Sequence, residues 1–475
     1  MIHCYQFNEH NIVLDVNSGA VHLVSGVAYD ILNFIHASGV FPPPGETPGT
    51  TPGGDLAPEG PLAIALCAAL AEKHPAGVLT EALAEIRALA EAGMLFTDDS
   101  QVTPDMLEGR GAVIKAMCLH VAHDCNMACR YCFGDTGAFS GPRGLLSRET
   151  GKKAFDFLIR QSGARRNLEI DFFGGEPLMN FGVVKELVAY GREQEKRAGK
   201  NIRFTLTTNG LLLDEEKEAF INRHMDNVIL SLDGRPEVND AMRKTVGGQS
   251  AYARTAGNLR RFQQSRQGTY YVRGTFTKYN LDFSEDVRHL AEMGFPGVSV
   301  EPVVADKTRD FALREEDVPR ILEEYDKLAQ LYLEYAERGQ TFAFFHFNMD
   351  LSQGPCVVKR VSGCGAGTEY VAVSPEGDIY PCHQFVGEPD FKLGNVNDEG
   401  FHNALYERFN AAHIYNKPAC AGCWAKFYCS GGCHANAWHE NEDLLKPYAL
   451  GCALEKKRVE CAIGIAAHLA PPRLP

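Results

Sequence analysis

Cys125-Asn126-Met127-Ala128-Cys129-Arg130-Tyr131-Cys132 spaces three thiols as C-x3-C-x2-C, directly behind an apolar run at 114–120. Three thiolates can ligate three irons of a 4Fe-4S cube and leave the fourth iron open to a chelating molecule. A structural zinc site wants four ligands and usually pairs C-x2-C units, so this spacing favours the cluster. Working outward, apolar runs at 114–120, 168–173, 202–207, 228–232, 271–277 and 297–301 read as strands. Helical patterns at 148–160, 183–196, 215–223 and 253–264 lie between them. Strand and helix in alternation predict an α/β fold with a parallel sheet and right-handed crossovers. Six such units make a partial (β/α)6 barrel, with its chemistry at the C-terminal ends of the strands.

The remaining motifs sit at those ends. Phe173-Gly174-Gly175-Glu176-Pro177 closes the second strand. Two glycines admit close backbone approach, and a carboxylate beside them can pair with an ammonium. Thr207-Thr208-Asn209-Gly210 closes the third strand, Ser231-Leu232-Asp233-Gly234 the fourth, and residues 297–301 the sixth. The three-cysteine motif with Tyr131 before its last Cys, followed by these strand ends in order, resembles the radical S-adenosylmethionine (SAM) enzymes. The resemblance implies that Cys125, Cys129 and Cys132 hold the catalytic 4Fe-4S cluster. It implies that SAM chelates the open iron and is cleaved by one electron to methionine and a 5′-deoxyadenosyl radical. Gly174, Gly175, Glu176 and Pro177 then correspond to the motif that meets the SAM amino group. Asn209 and Ser231 correspond to ribose or carboxylate contacts, and Arg243 and Arg273 are candidate carboxylate partners. Tyr131 belongs to the same cofactor site.

Nine of the fifteen cysteines lie between Cys356 and Cys461. Cys364 is followed by twelve residues, then Gly377-x4-Cys382, then Cys420-x2-Cys423-x5-Cys429-x3-Cys433, then Cys452. The C-x2-C pair alone also suits zinc. The whole series resembles the SPASM domain, which carries two auxiliary 4Fe-4S clusters, three clusters in all. The resemblance implies an outer set of Cys420, Cys423, Cys429 and Cys452 and an inner set of Cys364, Cys382 and Cys433. Cys356 is a candidate fourth inner ligand, or else a free or substrate-handling thiol. Cys4, Cys67, Cys118 and Cys461 read as structural.

The chain divides into 1–108, 109–305 (barrel), 306–350 (helical connector) and 351–475 (Cys-rich, expected to hold little regular structure). Residues 1–36 read as three short strands and a helix, and 61–74 and 79–92 as two further helices, with Thr80 as N-cap and Gly93 as stop. Between them, 39–61 holds seven Pro and six Gly and reads as a breaker segment. Three strands with three helices make a winged-helix-like unit that resembles the leader-peptide-binding domain of ribosomal peptide maturases. A small sheet with a free edge can accept an extended peptide as an added strand. The opening 1–32, together with Cys364-Gly-Ala-Gly and Tyr380-Pro-Cys382-His383-Gln384-Phe385, is similar to the maturases of six-cysteine (SCIFF) peptides. That family joins a Cys sulfur to the α-carbon of another residue, usually Thr. Anaerobic sulfatase maturases, the alternative branch, carry Asp where this chain has His383.

Lys and Arg number 47 against 61 Asp and Glu, a formal charge of −14. That balance argues against nucleic acid as a partner. No apolar run reaches the length of a membrane span, and the N-terminus carries no secretory pattern. A cytoplasmic enzyme is expected, acting on a Cys-rich precursor peptide with a leader and fed by a low-potential donor such as a ferredoxin or flavodoxin. An iron–sulfur electron carrier would explain the cysteines but not the Gly-Gly-Glu-Pro motif or the six βα units. A zinc-bearing peptide scaffold is the other class to exclude.

Overall fold

The computed structural model describes residues 1–38, 56, 60–98, 113–349, 351, 361–398 and 404–470. Most of the breaker segment at 39–61 lies outside the described residues, and so does Cys356.

At the N-terminus, β1 (Ile2–Phe7), β2 (His10–Asp15) and β3 (Val21–Val24) form an antiparallel sheet in the order β1-β2-β3. The strand β2 alternates between two cores. Val13 faces a cluster with Ile31, Leu32, Leu66, Leu83 and Ile86 from α1 (Gly26–Ser38), α2 (Pro61–Leu70) and α3 (Ala76–Glu91). Ile12 and Leu14 face the main core of the molecule. Period-two alternation sends successive side chains to opposite faces, so this sheet is covered on both sides. Gly93, at φ +67°, follows α3 as expected. Thr80 is not its N-cap. The helix starts earlier, behind Pro75, and the Thr80 hydroxyl donates to Ala76 O at 2.9 Å inside its first turns.

The predicted barrel is present. Strands β4 (Ala116–His123), β5 (Asn167–Gly174), β6 (Asn201–Thr208), β7 (Asn227–Ser231), β8 (Thr269–Phe276) and β9 (Gly297–Pro302) pair in parallel, each with the next. Helices α4 (Arg148–Gln161), α5 (Phe181–Ala198), α6 (Glu215–His224), α7 (Pro236–Met242), α8 (Tyr252–Ser265) and α9 (Phe283–Glu292) make the crossovers. Their apolar stripes meet the sheet: Phe155 and Leu158 of α4 and Val184 and Leu187 of α5 share one core with Ile170, Phe172 and Phe204. The connector carries one long helix, α10 (Val318–Glu337), followed by a short strand, Ala343–Phe344, that pairs in parallel with β9.

The C-terminal region enters the same sheet. Tyr370–Val373 pairs in parallel with β4, and Asp378–Tyr380 pairs antiparallel with Tyr370–Val373. The barrel's β4 edge is therefore covered by the cysteine-rich domain, and Cys382 follows directly from that added hairpin. The expectation of little regular structure fails at the end of the chain, where Ala449–Leu469 form a 21-residue helix. Its apolar residues Leu454, Val459, Ile463 and Ile465 are buried. It packs against α10 and the outer face of the N-terminal sheet: Arg458 Nε donates to Tyr325 Oη at 2.8 Å, and Tyr5 Oη donates to Glu460 O at 3.1 Å. Gly464 is required there, because a Cβ would lie 2.3 Å from Phe7 Cγ. None of the described helices is long and apolar enough to cross a membrane.

Candidate active site

The cysteine loop leaves β4 and bends across the C-terminal ends of β5 to β8. A cleft of about 1240 Å³, its open mouth included, is lined by Cys125, Cys129, Cys132, Tyr131, Gly174, Gly175, Thr207, Asn209, Ser231, Arg243, Arg273, Glu301, His383 and Gln384 among others. Strand ends that are far apart in sequence thus converge on one cavity, as expected for a parallel barrel.

The loop is held by buried polar groups. Tyr131 Oη donates to the carboxylate of Asp233, 2.8 and 2.7 Å from its two oxygens. Arg243 Nη1 donates to Tyr131 Oη at 3.1 Å and lies 3.8 Å from Asp233. Burial pushes the Asp233 carboxyl up to about 6, against the pull of Arg243 and Tyr131. Thr275 N, on β8, donates to Asp233 Oδ1 at 3.1 Å. Arg243 thus lines the cleft with its charge already shared by Tyr131 and Asp233. Arg273 is an exposed residue on the cleft wall, and its charge acts on Asp171, Glu301 and His383. Asn209 Nδ2 donates to Asn126 Oδ1 at 2.7 Å, fixing the residue after Cys125.

The Gly-Gly-Glu-Pro segment departs from the expectation. Gly174 and Gly175 line the cleft, but Glu176 and Pro177 do not. Glu176 is fully buried, and its carboxylate accepts from Leu178 N (3.0 Å), Thr208 Oγ1 (2.8 Å) and Asn209 N (2.8 Å). It ties the end of β5 to the end of β6, so the segment meets the cleft through Gly174 and Gly175. The glycines are needed for a second reason as well. A Cβ on Gly174 would lie 2.3 Å from Ala122 O, and one on Gly175 would lie 2.2 Å from Asp124 O. Backbone bonds from Gly175 N to Ala122 O and from Glu176 N to Asp124 O press this segment against the chain leading into Cys125.

Burial pushes the Cys125 thiol up to about 12 and the Cys129 thiol up to about 11. Such thiols are protonated at neutral pH unless a cation displaces the proton. Among the described residues, no three cysteine sulfurs lie within 4.8 Å of one another. Ligands of one zinc ion, at about 2.3 Å from the metal, would stand closer than that.

The described C-terminal cysteines lie in two neighbourhoods. Cys420, Cys423, Cys429 and Cys452 neighbour one another. Cys382 neighbours Cys364 and Cys433. His383 faces the cleft, its Nδ1 3.2 Å from Tyr370 Oη and its ring tilted against Phe133 and Phe173. Burial holds it at about 4, so it is neutral at physiological pH. Reading the sequence assigned no role to Asp233, Asn126 or Thr208. Asp233 carried the one available signal, a carboxylate two residues behind a strand-end serine.

Two family models match the chain: a 4Fe-4S single cluster domain over residues 107–253 and the SPASM iron–sulfur cluster-binding domain over 364–424. The radical SAM cyclopropyl synthase TigE of Paramaledivibacter caminithermalis is 23% identical over 68% of this chain and 68% of its own. The structure of anSMEcpe with bound AdoMet superposes with a TM-score of 0.64 at 19% identity, covering 75% of this chain and 96% of that one. Streptococcus suis SuiB has been solved with S-adenosylmethionine and with its precursor peptide SuiA. Its TM-score is 0.52 at 16% and 15% identity, over 95% of this chain and 98% of SuiB. The chain thus carries a matched 4Fe-4S single cluster domain and a matched SPASM iron–sulfur cluster-binding domain, and it is similar in fold to these S-adenosylmethionine-binding structures.

Proposed function

We propose that the protein is a peptide maturase that installs a thioether between a Cys sulfur and the α-carbon of an acceptor residue, Thr by resemblance, in a Cys-rich precursor peptide. One observation carries the reading: the cleft that holds Cys125, Cys129 and Cys132 is also lined by His383 and Gln384, the two residues after Cys382. A peptide residue in that cleft lies between the catalytic cysteines and the inner auxiliary set.

The three loop cysteines would hold one 4Fe-4S cluster, and the outer and inner sets two more. With SAM bound, that centre supplies a 5′-deoxyadenosyl radical able to take a hydrogen atom from an α-carbon. The chain's own residues do the rest. Arg273 offers a cation to the SAM carboxylate, and Ser231 and Asn209 line the wall beside it. The Tyr131–Asp233–Arg243 network keeps the loop rigid. Val303, Phe133 and Phe173 close the cleft with apolar surface. Sulfur–carbon bond formation would remove two hydrogens from the peptide, one as the abstracted atom and one as the thiol proton, and release one electron, which clusters held by the auxiliary cysteines could take up.

The N-terminal unit is the proposed leader clamp. β3 is an edge strand, with Leu23 half exposed and His22 Nε2 2.9 Å from Met94 O, just past the end of α3. SuiB, solved with its precursor peptide, shares the fold over nearly the whole chain. His383 stands where sulfatase maturases carry Asp, which favours the peptide branch. A low-potential ferredoxin or flavodoxin is the proposed electron donor. The test uses a precursor peptide deuterated at the α-carbon of its acceptor residues. Deuterium recovered in 5′-deoxyadenosine supports α-carbon abstraction. 5′-Deoxyadenosine without deuterium, alongside a modified peptide, refutes it.

A further inference from the structure

Lys417 stands three residues before Cys420 and is fully buried. Its carbonyl accepts from Cys420 N at 2.8 Å and Ala421 N at 3.3 Å, so its backbone shapes the turn carrying the first outer cysteine. Its side chain runs the other way. Nζ donates to Gly431 O at 2.7 Å, in the short link between Cys429 of the outer set and Cys433 of the inner set. Gly431 has φ +87°, and a Cβ there would sit 3.4 Å from that ammonium. No carboxylate pairs with Lys417 among the described residues, and the charges that act on it come from Cys420, Cys429, Cys433 and Cys452.

A buried ammonium with one carbonyl partner is costly, because its lost hydration is not replaced. The cost is offset only if anions face it. Two thiolate-ligated clusters would be such anions: four thiolates around a 4Fe-4S core carry a net charge of −2 when oxidised and −3 when reduced. A cation at fixed position stabilises the more negative form more strongly, and in a low-dielectric interior that difference is large.

We propose that Lys417 is a fixed counter-charge set between the two auxiliary cluster sites, which raises their reduction potential and so makes them better electron acceptors. The inference rests on the cluster reading given above. Lys417 does not touch substrate and is a positioning charge, distinct from the ligands. Nothing in the cysteine spacing requires a lysine there, and a residue needed only for packing would be met by an apolar chain of the same length.

The test compares anaerobically purified wild type, Lys417→Met and Lys417→Arg. Iron and sulfide are counted, and the signals that do not respond to SAM are followed by EPR during a potentiometric titration. At a fixed potential, Lys417→Met is expected to shift the reduced-to-oxidised ratio at least tenfold toward oxidised, about 59 mV for a one-electron couple, while Lys417→Arg stays near wild type. Full iron content with an unshifted ratio in Lys417→Met overturns the proposal. If Lys417→Met loses auxiliary iron and Lys417→Arg keeps it, the charge requirement is supported. If both lose it, the residue acts by packing and the proposal fails. Wild type that holds only about four irons per chain would refute the cluster reading itself, a result separate from any of these.

Discussion

The two cysteine regions are held in place by opposite means. The loop Cys125–Cys132 sits on a finished scaffold, with six parallel strands beneath it and a core of large apolar side chains that contains none of the three ligands. Its anchors are polar and independent of metal: Glu176 across β5 and β6, Asn209 on Asn126, and Asp233 on Tyr131. In the outer set only Cys452 stands on such a scaffold, the Ala449–Leu469 helix whose Leu450 and Leu454 join the main core, whereas Cys420, Cys423 and Cys429 lie in short turns. Around these turns lies a small apolar group of Val361, Ile414, Phe427 and Cys420 itself. Small metal-organised domains fold on their ligands. The loop is therefore held without help from its cysteines, whereas three of the four outer cysteines have only a small local core around them.

That contrast can be broken most severely at the loop. Cys125→Ala, Cys129→Ala and Cys132→Ala are each expected to abolish 5′-deoxyadenosine formation with dithionite, while circular dichroism and melting temperature stay close to wild type. A large loss of helix would mean the scaffold depends on the loop. At the outer set, Cys420→Ala or Cys452→Ala should lose about four irons per chain and lower the melting temperature, yet still cleave SAM without peptide. Unchanged iron would remove these residues from the ligand set.

Smaller effects sharpen the account. Tyr131→Phe deletes the hydroxyl that both oxygens of Asp233 share and leaves a buried carboxylate short of a donor. The expected cost is about 1–3 kcal/mol, read as a drop in thermal stability, with Asp233→Asn in the Phe background restoring part of it. No drop would mean that Thr275 N and Arg243 suffice. Smaller still for catalysis is Val24→Pro. Val24 pairs with Asn11 across β2 and β3, and proline withdraws a donor from the edge. Leader affinity should weaken by about 1–3 kcal/mol in a titration, with peptide-free SAM cleavage unchanged. Equal affinity would place the leader elsewhere.

Much of this was legible in the chain, for physical reasons. Buried parallel strands must be continuously apolar and their crossovers amphipathic, so all six barrel strands appear within a few residues of their predicted bounds. The C-terminal cysteine spacing likewise grouped thiols that the fold places beside one another. What failed depended on direction in space. The sequence places the Glu176 carboxylate beside two glycines, but only coordinates show that it accepts from Leu178 N, Thr208 Oγ1 and Asn209 N. The long C-terminal helix was hidden because its apolar residues face α10, β1 and β2 on several sides at once, which leaves no single stripe. Lys417 reads in sequence as an ordinary surface lysine.

The most direct test of the central claim is the mass of a Cys-rich precursor peptide after incubation with the reconstituted enzyme, SAM and dithionite. The account predicts a loss of two hydrogens for each bond formed, with the modified Cys no longer alkylated by iodoacetamide and the link mapped to an α-carbon by tandem mass spectrometry. An unchanged peptide mass, under conditions in which 5′-deoxyadenosine accumulates and the leader is bound, would contradict it.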